Sequence, residues 1–230
     1  MLVAVYATHK APRDERGAAS ISGCPHRDWD SSCCRIPPPS RKEVQMTSNI
    51  KLRRLCEGAI FLAASVALSF IRINPGLAYG GSIDLAMLPL VFFAVRWGLP
   101  WGLCAGFLFG LMHFLFSGGV AVNWQSMLLD YSVAYMMTGL AGALKNRKLG
   151  LPLGGLLGCV GRFGIHFISG ITIYAAYMPE EFLNRTMTST WMYSLLYNGL
   201  YMLPNTIIVV VIGALLSLPL QKFIMRDDIR

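Results

Sequence analysis

Residues 191–218 read WMYSLLYNGLYMLPNTIIVVVIGALLSL, a run without a single Asp, Glu, Lys or Arg. A helix needs about 20 apolar residues, at about 1.5 Å each, to cross the hydrocarbon core of a bilayer. Only helices and closed barrels satisfy the backbone in lipid, and this run lacks the alternation of a barrel strand. It predicts a membrane-crossing helix. Five further apolar stretches precede it, at residues 54–73, 83–97, 99–117, 124–144 and 152–177, the second of them short. The predicted fold class is an all-α integral membrane protein, a bundle of six transmembrane helices.

The composition agrees. Of 230 residues, 54% are hydrophobic and 14% charged, which excludes an ordinary water-soluble domain. The net charge of +8 fits nucleic acid, an anionic surface or cytoplasmic loops, and its placement decides between them. With the N-terminus in the cytoplasm, Lys51, Arg53, Arg54, Arg96, Lys145, Arg147, Lys148, Lys222, Arg226 and Arg230 fall inside, and Arg72 and Arg185 outside. This positive-inside bias predicts cytoplasmic N- and C-termini and a multi-pass protein of a bacterial-type plasma membrane, with the lipid bilayer rather than nucleic acid as its partner. The six cysteines show neither CxxC nor Cys/His ligand spacing, so no zinc site and no disulfide framework is expected.

Residues 1–45 differ from the rest. They are polar and irregular, without the apolar core of a signal peptide. Lys42-Glu43-Val44 is encodable as a ribosome-binding sequence just ahead of the Met46 codon. Residues 1–45 are therefore expected to be a disordered tail or a spurious upstream leader, with the true start at Met46 and the membrane domain at 46–230.

Three polar residues reach one depth. At about 1.5 Å per residue, Asp130 lies about 9 Å below the outer end of the fourth stretch, Gly170 about 10 Å below that of the fifth and Asn198 about 10 Å below that of the sixth. His166 and Tyr174 lie one turn from Gly170 on its helical face, and Tyr193, Tyr197 and Tyr131 are adjacent. An ionisable group within a span costs about 3 kcal/mol or more and marks function by default. Aromatic rings attract cations and stack on flat heterocycles, and Gly170 lets a ligand approach the backbone. The set predicts an outward-open, aromatic-walled pocket for a flat, cationic, hydrogen-bonding small molecule. Each member also has a plainer reading: interfacial tyrosines, a histidine bonded to a carbonyl, an asparagine joining helices. Arg162, about 22 Å below the outer end of its stretch, is too deep for a direct pair with Asp130, and is expected to bond carbonyls or extend inward. His113 is read as structural, and Asp84 as a helix-start residue with Ser82 as its cap. The chain has no nucleophile–base set, no HExxH and no phosphate loop. No catalytic residue, metal or cofactor is expected.

The segments EGAIFLAASVALSF, GFLFGLMHFLFSG, QSMLLDYSVAYMMTGLAG, RFGIHFISGITIYAAYMPE and WMYSLLYNGLYMLP resemble the thiamine-specific substrate-binding component (S-component) of energy-coupling-factor (ECF) vitamin transporters. The resemblance runs from Leu55 to Leu216. It implies a six-helix protein that takes thiamine as ligand in an outward-facing pocket and associates with a transmembrane coupling protein and two cytoplasmic ATPases. By motif, the substrate-binding residues are Asp130, Tyr131, His166, Gly170, Tyr174, Tyr193 and Asn198. Asp130 stands where the family commonly has Glu, and Tyr174 where it often has Trp. The first outer loop has no Trp between Ile73 and Ser82, which leaves Tyr79 as its aromatic residue. Ala59, Ala63 and Ala67 form a small-residue stripe that in the family docks the coupling protein; packing within the bundle is the alternative. The alternatives in function are an S-component for another vitamin or for the precursor hydroxymethylpyrimidine, an intramembrane enzyme using Asp130, His113 and His166, or a structural bundle.

Overall fold

A computed structural model describes residues 41–78, 80–116 and 121–225. The chain is built from α1 (Arg41–Ser69), α2 (Met87–Trp97), α3 (Leu99–Phe116), a composite rod α4 (Trp124–Leu144), α5 (Gly150–Thr172), α6 (Thr190–Ser217) and a short terminal turn α7 (Gln221–Ile224). Two small hairpins join them: β1 (Arg72–Ile73) with β2 (Ile83–Asp84), and β3 (Glu181–Phe182) with β4 (Arg185–Thr186). The described part is thus mostly helical. Four helices are long and apolar enough to cross a membrane: α3, α4, α5 and α6. The first two predicted stretches fall short, since Arg53, Arg54 and Glu57 interrupt α1 and α2 has only 11 residues.

Helix boundaries moved where local chemistry competes. The first stretch, expected to stay helical to 73, stops at Ser69, and Arg72–Ile73 pair with Ile83–Asp84 instead. The second begins at Met87 rather than at 83. Asp84 lies in β2 and accepts from the Ala86 N–H at 3.0 Å, while the Ser82 hydroxyl donates to Asp84 at 2.9 Å and caps nothing. At the other end, α1 begins at Arg41, so residues 41–45 of the expected leader are helical. The rest of that leader, residues 1–40, lies outside the described residues, as do Arg226 and Arg230.

Every residue of α2 is buried, which makes this short helix the core around which the longer ones are arranged. Pro89 sits in its first turn, where a missing N–H costs no helical bond. Arg96, read from sequence as an inner-loop charge, is fully buried instead. It donates through Nε and Nη2 to Glu57 of α1 at 2.6 and 2.9 Å and through Nη1 to the Phe223 carbonyl of α7. Trp97 and Arg53 also donate to Glu57, at 2.8 and 2.9 Å. The Glu57–Arg96 pair thus ties α1, α2 and α7, and the carboxylate's acceptor positions are filled by four donors.

Close backbone approach places α3 against α4. A Cβ at Gly106 would stand 2.3 Å from the Tyr135 carbonyl oxygen, and one at Gly110 2.4 Å from that of Tyr131. Only glycine permits this contact. The α4 rod starts with an Asn123–Ser126 capping box and then departs from α geometry. Leu128–Val133 form a wide π turn and Met137–Leu144 a tight 3-10 segment. The π turn carries Asp130 and Tyr131. Such turns recur at functional sites because the extra residue re-aims the side chains that follow.

Candidate ligand-binding site

Between α3, α4, α5, α6 and the loop that follows β1 lies a cavity with about 720 Å³ of space free of protein atoms, its open mouth included. Its wall combines tyrosine rings with polar groups. Tyr131 and Tyr135 come from α4, Tyr174 from the turn after α5, and Tyr193, Tyr197 and Tyr201 from α6. The α6 tyrosines recur at i, i+4 and i+8 and so occupy one helical stripe. Phe182 of β3 meets Tyr193 edge-on, with ring centres 5.4 Å apart, and backs this stripe from outside the cavity.

The polar side is a chain of hydrogen bonds. Ser169 donates to Asp130 Oδ2 at 2.9 Å, and His166 Nδ1 lies 3.2 Å from Asp130 Oδ1. Arg162 Nε lies 3.3 Å from His166 Nε2, and its guanidinium stacks 3.9 Å above the Tyr135 ring. Asp130 is thereby held from α5, with its carboxylate in the cavity wall. Arg162, Ser169 and His166 are buried. Arg162 reaches Asp130 through His166, one helical turn away, and no bond from it to a carbonyl is seen among the described residues. A rule based on depth overlooked that a third side chain spans the gap.

All seven described residues predicted for the site line this one cavity: Asp130, Tyr131, His166, Gly170, Tyr174, Tyr193 and Asn198. The eighth, Tyr79, lies outside the described residues; its neighbours Gly80 and Gly81 are in the lining. Two of the seven also make close contacts within the protein. A Cβ on Gly170 would stand 2.2 Å from Ser194 Oγ, so the missing side chain admits Ser194 of α6. The Asn198 amide donates to the His166 carbonyl at 3.2 Å and to the Ser194 carbonyl at 2.9 Å, and its Oδ1 accepts from Tyr201 at 2.8 Å. Asn198 therefore orders α5 and α6 around the cavity.

Sequence reasoning left out Arg162, Tyr135, Ser194 and Tyr201, and preferred a structural role for His113 over a place in the cavity wall, yet all five line the cavity. The α6 stripe was the signal available for Tyr201, since it continues Tyr193 and Tyr197 at the same spacing. The loop is also anchored by side chains. Tyr197 donates to the Gly80 carbonyl at 2.9 Å. Asn205 accepts from the Asp84 N–H at 3.0 Å and donates to the Ser82 carbonyl at 2.7 Å. Gly81, at φ +105°, lies against the Tyr201 ring, where a Cβ would meet ring carbon at 2.7 Å. Among the described residues no group of His, Cys, Asp and Glu is arranged to hold a metal ion.

Residues 55–225 match the family model described as Thiamine transporter protein (Thia_YuaJ). The chain belongs to this family. It is 30% identical over 196 residues to the thiamine transporter ThiT of Bacillus subtilis (strain 168), covering 79% of this chain and 99% of that protein. It is 29% identical over 199 residues to ThiT of Lacticaseibacillus paracasei, covering 79% and 96%. Its fold is like that of the solved ThiT structure from Listeria monocytogenes, with a TM-score of 0.64 at 24% identity, over 76% of this chain and 98% of that one. Membership in a transporter family removes the intramembrane-enzyme alternative.

Proposed function

We propose that this chain is the thiamine-binding S-component of an ECF importer and captures thiamine at the outer face of a bacterial plasma membrane. The observation that carries this reading is the Asp130 carboxylate, held at Oδ1 and Oδ2 by His166 and Ser169 in a cavity walled by tyrosines. Thiamine joins a cationic thiazolium to an aminopyrimidine that can stack and donate to a carboxylate. Its flat rings match the tyrosine walls and its charge matches Asp130. In this reading α1 and α2 cross the membrane with α3 to α6, both termini are cytoplasmic and Tyr79 shields the mouth. The exposed Ala59, Ala63 and Ala67 of α1 meet the transmembrane coupling protein. The chain has no phosphate loop, so two partner ATPases supply the energy.

Calorimetric titration of the detergent-purified chain tests the ligand. Thiamine is expected to bind saturably and without turnover, and more tightly than hydroxymethylpyrimidine, which lacks the cationic ring. Tighter binding of the precursor would move the assignment to the runner-up ligand, and no binding of either would end it. Fluorescence is the poorer probe, because Trp124 and Trp191 are exposed and stand outside the cavity lining.

A further inference from the structure

We infer that Arg162 is a positioning residue for Asp130, acting through the ring of His166; the functional part of this inference rests on the cation-binding reading above. An arginine side chain has only donors and keeps its proton in proteins. Arg162 Nε donates to His166 Nε2 at 3.3 Å, so that ring nitrogen accepts and carries no proton. The imidazole proton is then on Nδ1, which donates to Asp130 Oδ1 at 3.2 Å. The tautomer follows from the partners.

The three α5 residues that build this relay, Arg162, His166 and Ser169, follow the i, i+4, i+7 spacing of one helical face. Two of them meet Asp130 of α4 directly, and Arg162 stands behind. Were the proton on Nε2, it would confront the Arg162 donor, and a bare Nδ1 lone pair would face the carboxylate. Both contacts would turn from attractive to repulsive. Arg162 thus selects the ring state that holds the carboxylate in one orientation toward the cavity. It makes no salt bridge of its own among the described residues, and its Nη1 is buried without a hydrogen-bond partner. Stacking on Tyr135 holds its plane.

The test uses the full chain in detergent, labelled with ¹⁵N-histidine, with H166N to assign the ring. Wild type is expected to carry the proton on Nδ1 and a bare Nε2. In R162M the Nε2-protonated form is expected to appear and thiamine affinity to fall about ten- to a hundredfold, as for loss of a charge-assisted bond. R162K, which keeps a donor at that place, is expected to restore both. A wild-type ring protonated at Nε2, or at both nitrogens, overturns the inference. So does an unchanged tautomer in R162M, or a changed tautomer with unchanged affinity. If R162M does not fold, the wild-type ring and the comparison with R162K still decide. A wild-type chain with the proton on Nδ1 that binds no thiamine would overturn the functional reading and leave the tautomer assignment standing.

Discussion

Both oxygens of the Asp130 carboxylate have partners on α5. Ser169 and His166 come to it because the π turn carries the aspartate toward that helix. The neutral variant D130N keeps the shape and loses the charge. It is expected to weaken thiamine binding by about 1.5–3 kcal/mol, the range for hydrogen bonds to charged groups, read by titration. Gly170 has a different task. G170A forces a methyl into the Ser194 hydroxyl and should lower stability by about 1–3 kcal/mol, measured by thermal unfolding in detergent. The double variant G170A/S194G should recover most of that loss, whereas a glycine needed only for ligand approach would show no such recovery.

The helices differ in what fixes them. The α3–α4 contact depends on glycine backbone approach, so G106A should separate the pair and cost about 1–3 kcal/mol. Affinity should fall with it, because Tyr131 and Tyr135 lie on the displaced rod. Unchanged melting of G106A would refute the contact. The start of α4 depends on its cap, and N123A should cost about 1 kcal/mol. Element positions were legible in the sequence because apolar run length is a local property. The π turn at Leu128–Val133 was not, since nothing in LLDYSV distinguishes a wide turn from an α turn until neighbouring helices hold it. Ser69 and Met87 as helix ends were likewise hidden: pairing across β1 and β2 competes with helix formation, and the paired residues, Arg72 with Asp84 and Ile73 with Ile83, are not neighbours in the chain.

Across the whole molecule, the cavity and the Glu57–Arg96 cluster occupy separate places and can be tested apart. Arg96 is fully buried and the Glu57 side chain 15% exposed, so this pair is far from a surface ion pair. Removing Glu57 takes away the carboxylate that the buried Arg96 pairs with; E57L is expected to cost about 3–5 kcal/mol, whereas R96M/E57L should be milder because the buried cation is removed too. Thermal unfolding of the two variants checks this, and equal melting temperatures would reject it. Thiamine affinity of the folded fraction should be unchanged, since neither residue lines the cavity.

Apolar run lengths determined the helical class and the helix positions, and residue spacing along single helices determined which side chains share a face. Those properties are local, so the sequence alone carried them. The family's motifs fell on seven residues that now line one cavity. Only the tertiary structure decided what those residues do to one another: that Gly170 admits Ser194, that Asn198 is committed to α5 and α6, and that His166 joins Arg162 to Asp130. These facts depend on the rotation and spacing of helices far apart in the chain. Rotation is set by glycine contacts and one wide turn, which act only when the helices are already side by side.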